Sequence, residues 1–153
     1  LAAAVALVGA AGTSALAEDA HPMSLVAGPA AVKWQPGPAN LPKGTQLAVL
    51  HGDPGKPGPF ALRVKFAPNS SVAPHSHATD ENLTVISGTL FHGMGDKFDK
   101  SKGEEIAAGG FVFLPAKMNH YVWNTTETIV QVTGIGPFGL DYVNPADDPS
   151  KSQ

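Results

Sequence analysis

The chain has 153 residues, which is enough for one domain with a proper hydrophobic core. Charged residues make up only 15% of it and the net charge is −3, so a nucleic-acid partner has no electrostatic support. The sequence contains no cysteine, which excludes disulfides, thiolate metal ligands and thiol nucleophiles.

The first segment of the chain, residues 1–17, carries no charge and ends in Ala-Leu-Ala directly before an acidic pair. This pattern predicts the later part of a secretory signal peptide, truncated at its start and cleaved between Ala17 and Glu18. A membrane anchor and an ordinary N-terminal helix are the alternatives, and seventeen residues with two glycines are marginal for spanning a bilayer. We therefore expect a periplasmic or secreted protein with no stable membrane span after processing.

The rest of the chain reads as short strands joined by many turns. Gly and Pro together number 31 (17 + 14), and no segment after Ala17 has a convincing helical period. We expect an N-terminal arm at 18–40, a β-barrel at 41–143 and a C-terminal tail at 144–153. Strands are predicted at 45–50, 60–66, 71–77, 82–87, 90–94, 104–106, 111–114, 121–124 and 128–133, and 31–34 is a possible first strand. Short strands at this spacing indicate an all-β sandwich or barrel.

Alternation within these strands predicts which side chains are buried. The even positions of 60–66 are Phe, Leu, Val and Phe, so this strand buries one face. Phe111 and Phe113 are predicted to pack in the core, and so are Tyr121 and Trp123. The segment 95–103 contains five charged residues and is predicted to be a loop.

Four residues form a candidate metal site: His75, His77, Glu81 and His120. Two imidazoles at i and i+2 on an extended segment point to the same face, so one ion could touch both. A glutamate from the next strand and a histidine from a distant one would complete a set of three nitrogens and one oxygen. That set suits a borderline divalent transition metal and leaves coordination positions open. The alternative is that two histidines close together on a strand are simply surface residues.

The spacing around these four residues resembles the two motifs of the cupin superfamily. The first motif is Gly, five residues, His-x-His, three or four residues, Glu, six residues, Gly, and it matches 69–88. The second is Gly, five residues, Pro-x-Gly, two residues, His, three residues, Asn, and it matches 109–124, with 20 residues between the motifs. Two glycine positions are occupied by other residues, Asn69 and Lys117. Asn tolerates positive φ best among non-glycine residues. Lysine adopts it less easily, so the sequence alone does not determine the shape of the turn before His120.

The resemblance covers about residues 47–136 and implies a single-domain, cupin-like jelly-roll β-barrel. It implies that His75, His77, Glu81 and His120 hold one divalent ion, which could be Fe, Mn, Ni, Cu or Zn. It also places the Leu90 face of its strand inside the barrel, so that His92 points toward the cavity as a candidate catalytic or acid–base group near the metal. A hydrogen-bonded barrel histidine or a rim residue is the alternative reading of His92.

Two classes of function follow. In the first, the protein is an exported mononuclear metal enzyme, similar to dioxygenase, decarboxylase or isomerase cupins, acting on an oxygen-bearing small molecule. In the second, it is a non-catalytic metal or small-ligand binding or sensing module. A small molecule is the expected partner, and a homodimer is left open. The sequence has no Gly-x-Ser-x-Gly nucleophile elbow and no phosphate-binding glycine loop.

Overall fold

The computed structural model describes residues 23–151, so the predicted signal segment and His21 lie outside the described residues. Regular structure in this part of the chain consists of strands and short 3-10 helices. The strands are β1 Gln35–Pro36, β2 Gln46–His51, β3 Gly58–Phe66, β4 Ser71–Ser76, β5 Glu81–Ser87, β6 Thr89–Met94, β7 Glu104–Ala107, β8 Phe111–Leu114, β9 His120–Trp123, β10 Thr128–Gly136 and β11 Asp141–Tyr142. The 3-10 helices are Pro29–Ala31, Lys100–Lys102, Pro145–Asp147 and Pro149–Lys151. Within residues 23–151, no helix is long and apolar enough to cross a membrane.

The strands form two antiparallel sheets, which confirms the all-β prediction. The first sheet has the order β1-β2-β3-β10-β5-β8, and the second has the order β11-β4-β9-β6-β7. Nine of the strands predicted from the sequence are present, with their ends moved by three residues at most, but the possible strand at 31–34 is wrong, since residues 29–31 form a 3-10 helix and the first strand begins at Gln35. Local alternation and turn residues were sufficient to locate the strands because both signals lie within each segment.

The core lies between the two sheets and follows the predicted alternation. Phe60, Leu62, Val64 and Phe66 of β3 are all buried. On β5 the inward positions are Glu81, Leu83 and Val85, as the period of two requires. Buried apolar residues of both sheets form one continuous cluster.

The prediction that Phe111 and Phe113 pack in the core is wrong. Their side chains are 58% and 51% exposed. In the pairing of β5 with β8, Leu114 lies opposite the inward-facing Glu81, and Phe113 lies opposite the outward-facing Asn82. Because side chains alternate along a strand, both phenylalanines lie on the outer face of an edge strand.

Tyr121 and Trp123 are buried as predicted, but on the outer face of the second sheet. The loop at 95–103 covers them there, and the Tyr121 hydroxyl donates a 2.7 Å hydrogen bond to the carbonyl oxygen of Asp99. The Phe98 ring packs 4.9 Å from the Tyr121 ring and 5.6 Å from that of Trp123, measured between centroids. Gly103 permits this close packing, since a Cβ there would lie only 2.0 Å from the Trp123 ring.

The two residues that replace motif glycines both adopt the left-handed conformation. Asn69 has φ 60° and Lys117 has φ 63°. The turn before His120 therefore has the positive φ that a glycine would supply, at a cost of about 1 kcal/mol for the lysine. Hydrogen bonds hold this turn on both sides, from Lys117 N to the carbonyl of His77 and from Met118 N to that of Pro115.

Candidate metal centre

Three histidines converge inside the barrel, and all three side chains are buried. One ring nitrogen from each of His75, His77 and His120 lies within 4.8 Å of the others. Glu81 lies beside them, with its Oε2 3.4 Å from Nε2 of His77 and 3.4 Å from Nε2 of His120. The fold thus brings together the four residues that the sequence singled out.

A bulge in β4 turns His75 toward the interior. Val72 pairs with Val122 and His75 pairs with His120, so three steps along β4 match two steps along β9. Without the extra residue, strict alternation would place Val72 and His75 on opposite faces. Pro74 lies within this bulge, where its missing N–H disturbs the ladder least.

Backbone carbonyls fix the orientation of all three rings. Each Nδ1 lies within hydrogen-bonding distance of a carbonyl oxygen: 2.8 Å from His75 to Ala73, 2.6 Å from His77 to Gly139, and 3.1 Å from His120 to Met118. A carbonyl oxygen only accepts, so Nδ1 carries the proton and Nε2 of the neutral ring keeps its lone pair. This is how metal-binding histidines are held in proteins.

Burial and mutual contact set the charge of the cluster. Burial lowers the pKa of His75 to about 3, and the neighbouring His120 and His77 rings act in the same direction. For Glu81, burial alone would raise the pKa, but contacts with His120 and His77 outweigh it and lower the pKa to about 2. A neutral imidazole and an ionised carboxylate are the forms that bind a metal ion.

Around Glu81, the distances between donor atoms and the lack of a hydrogen-bond partner both fit a metal ion. Two ligand atoms that each lie about 2.1 Å from one ion are about 3 to 3.5 Å apart. The separations of 3.4 Å around Glu81 match this spacing and are long for a direct hydrogen bond. Oε2 of Glu81 is buried without a hydrogen-bond partner among the described residues, a costly arrangement that a cation would relieve.

The cluster forms part of the wall of a partly open cavity of about 320 Å³. The remaining wall is almost entirely apolar and is built from side chains of both sheets, including Leu62, Val64, Leu83, Val122 and Val132. This volume lies at the small end of the range for small-molecule sites. No residue of the loop at 95–103 contributes to this wall.

His92 is buried beside the cluster, but it is not among the residues that line the cavity, toward which the motif resemblance predicted that it would point. Its ring stacks on that of His120, with centroids 5.5 Å apart and planes 21° apart. Burial, and to a lesser extent His120, lowers the pKa of His92 to about 4, so its ring is neutral at pH 7. Nε2 of His92 has no hydrogen-bond partner in the described part of the chain.

Sequence reasoning missed the parts of the site that come from distant loops. Gly139 orients His77 from 62 residues away, and Tyr142 of β11 pairs with His75. Asn40, which was assigned to the N-terminal arm, lines the cavity. No local pattern marks a backbone carbonyl as a ligand-orienting group, so these contacts could be found only from the fold.

Comparison with known proteins identifies the family. The model of the ChrR cupin-like domain matches residues 22–139. No curated protein matches the chain.

Solved structures share the fold at low sequence identity. The polyketide cyclase RemF from Streptomyces resistomycificus is 20% identical, with a TM-score of 0.68 over 84% of this chain and 92% of that one. A proposed acetylacetone dioxygenase from Methylibium petroleiphilum PM1 is 20% identical, with a TM-score of 0.62 over 85% and 88%. KdgF from Halomonas sp. is 14% identical, with a TM-score of 0.55 over 76% and 96%. At these identities the likeness establishes the fold alone.

Proposed function

Because the chain belongs to the ChrR cupin-like domain family, we propose that it is a mononuclear metal enzyme that acts on an oxygen-bearing small molecule. The observation that carries the proposal is that the four donor side chains line a partly open cavity of about 320 Å³. A purely structural metal site is closed, whereas a catalytic site keeps a position open for water or substrate.

In this proposal the ion is held by Nε2 of His75, His77 and His120 and by the carboxylate of Glu81. When bound, it would supply Lewis-acid or redox chemistry at a substrate oxygen. The carbonyls that hold the three Nδ1–H groups keep the rings in place. The single negative charge of Glu81 offsets part of the charge of a divalent ion.

Two observations support an enzyme over a closed binding module. The loop at 95–103, which could have covered the metal, is held by Tyr121 on the outer face of the second sheet. His75, His77, His120 and Glu81 are four possible ligands, and no fifth side chain of the described residues joins them as a ligand. Similar folds include a polyketide cyclase and a proposed acetylacetone dioxygenase, which are names of enzymes that act on oxygen-bearing small molecules.

We assign His92 a positioning role in this enzyme. Its ring stacks on His120 and would limit the rotation of that ligand. Its buried Nε2 has no hydrogen-bond partner among the described residues, so that atom does not hold the ring in any other contact.

Azide binding to the cobalt-substituted protein tests whether the metal is accessible. Four protein ligands on an ion that accepts five or six leave one or two positions for an exchangeable ligand. We expect azide to change the visible spectrum of cobalt(II) in a saturable way. In a separate screen of carbonyl compounds, we expect the protein to take up oxygen. An unchanged spectrum at saturating azide would rule out the enzyme proposal and favour a binding module.

His92→Ala tests the positioning role in the same assay. We expect a weaker azide affinity or a shifted cobalt spectrum, with metal content close to that of the wild type. His51→Ala is the matched control, since His51 is exposed on the surface. If His92→Ala behaves like His51→Ala in metal affinity, spectrum and any activity found, His92 has no role in the site.

We also propose that the protein is exported and processed after Ala17, on the basis of the uncharged 1–17 segment and its Ala-Leu-Ala end. The intact mass of the protein from its native host is expected to correspond to a chain that begins at Glu18. An uncleaved chain in the cytosol would contradict this proposal.

A further inference from the structure

The cavity wall contains almost no charge. Among the residues that line it, Glu81 is the one acidic side chain, and no lysine or arginine is present. Glu81 is already committed to the histidine cluster. A charged group on a ligand that lies away from the ion would therefore have no oppositely charged side chain in the cavity wall to pair with. Burying an unpaired ion in an apolar environment is strongly unfavourable.

Residues 38–41, which we call the strap, lie along one side of the cavity. Pro38, Asn40 and Leu41 of the strap line the cavity, together with residues 138–140. The Tyr142 hydroxyl donates a 2.8 Å hydrogen bond to the backbone carbonyl of Asn40 and so ties the strap to β11.

Asn40 differs from every other residue on this wall. Apart from the His and Glu cluster, it is the one lining residue with a polar side chain, and that side chain is neutral. Its carboxamide makes no hydrogen bond to any residue in 23–151, and it is only half-buried. The neighbouring Ala39 is exposed and does not line the cavity.

Building on the proposed function, we propose that the substrate is an uncharged, largely apolar molecule that reaches the ion through an oxygen at one end. We further propose that Asn40 of the strap is the position that sets this preference against charged tails. The apolar walls would desolvate the body of the molecule, which favours hydrocarbon over a carboxylate or ammonium group. A neutral residue at the strap leaves such a charge unpaired.

Two β-diketone probes of matched size test the substrate class. The first, 8-methylnonane-2,4-dione, ends in an isopropyl group, and the second, 5,7-dioxooctanoate, ends in a carboxylate of nearly the same shape. Both share the same oxygen-chelating head, so any difference arises at the tail. With fully metal-loaded protein, calorimetry is expected to show binding of the neutral diketone at least about tenfold tighter, a factor that corresponds to about 1.4 kcal/mol.

Asn40→Arg and Ala39→Arg test the assigned position, since they add the same charge to adjacent residues of the strap. Asn40→Arg is expected to tighten binding of 5,7-dioxooctanoate by about tenfold, because the new cation pairs with the tail in a partly dry site. Ala39→Arg is expected to leave both affinities within about twofold of the wild type. Both substitutions keep the backbone carbonyl that Tyr142 binds.

These measurements separate the substrate class from the enzyme proposal because they need no turnover. Equal or tighter binding of the carboxylate by the wild type, or no binding of either probe, overturns the substrate class. Equal behaviour of the two arginine variants overturns the role of Asn40. Tight, selective binding without conversion of any bound compound leaves this inference standing and counts against the enzyme.

Discussion

Replacing His120 by alanine is expected to remove the metal from the protein. His120 lies close to every other member of the cluster: its ring centroid is 4.2 Å from that of His75 and 5.4 Å from that of His77, and its Nε2 lies 3.4 Å from Oε2 of Glu81. Losing this nitrogen leaves three donors, His75, His77 and Glu81, and the Glu81 carboxylate keeps only its contact with His77. Because even residues that only orient a ligand change metal affinity by about 10- to 100-fold, losing a ligand should cost at least as much.

Elemental analysis of the natively purified protein measures this effect. We expect about one divalent ion per chain in the wild type and a small fraction of that in His120→Ala. His75→Ala should show the same fall, and His51→Ala, at an exposed position, should keep the ion. Circular dichroism establishes that each variant is folded. Full occupancy in both His75→Ala and His120→Ala would mean that the ion, if any, is bound elsewhere.

The parts of the fold that follow from local rules could be predicted from the sequence. The alternation of β3 identified its buried face. On β5, the inward position of Glu81 correctly predicted that Leu83 and Val85 also face inward. The motif spacing brought His75, His77 and His120 together correctly because each glycine-type turn, including the one at Lys117, fixes where the next strand begins.

The parts that depend on pairing between distant segments could not be predicted. The bulge in β4 reverses the face of His75 relative to Val72, and it is visible only in the register with β9. Phenylalanine is usually buried, yet Phe113 lies on the outward face of β8, which is an edge strand of the first sheet. Both outcomes depend on which strands become neighbours, which the amino acids of one strand do not determine.

The last residue of the second motif, Asn124, stabilises the fold rather than the metal. Its side chain is buried and makes three hydrogen bonds to the backbone. Oδ1 accepts from Ser70 N at 2.8 Å, and Nδ2 donates to the carbonyls of Ala67 and Thr126 at 3.0 and 2.6 Å. These bonds hold the 67–70 turn, which contains the left-handed Asn69 and leads into β4 and His75. The two motifs are thus joined by one carboxamide, at the opposite end of β9 from His120.

Asn124→Ala is therefore expected to lower the free energy of unfolding by about 3 kcal/mol, since three partly buried hydrogen bonds are lost at about 1 kcal/mol each. Urea denaturation measures this change, and Asn119→Ala is the control because it removes a single surface bond to Asp96 and should cost less than about 0.5 kcal/mol. The folded fraction of Asn124→Ala should still bind one ion per chain, because the side chain lies outside the histidine cluster. A loss of metal with unchanged stability would show instead that Asn124 acts on the metal centre.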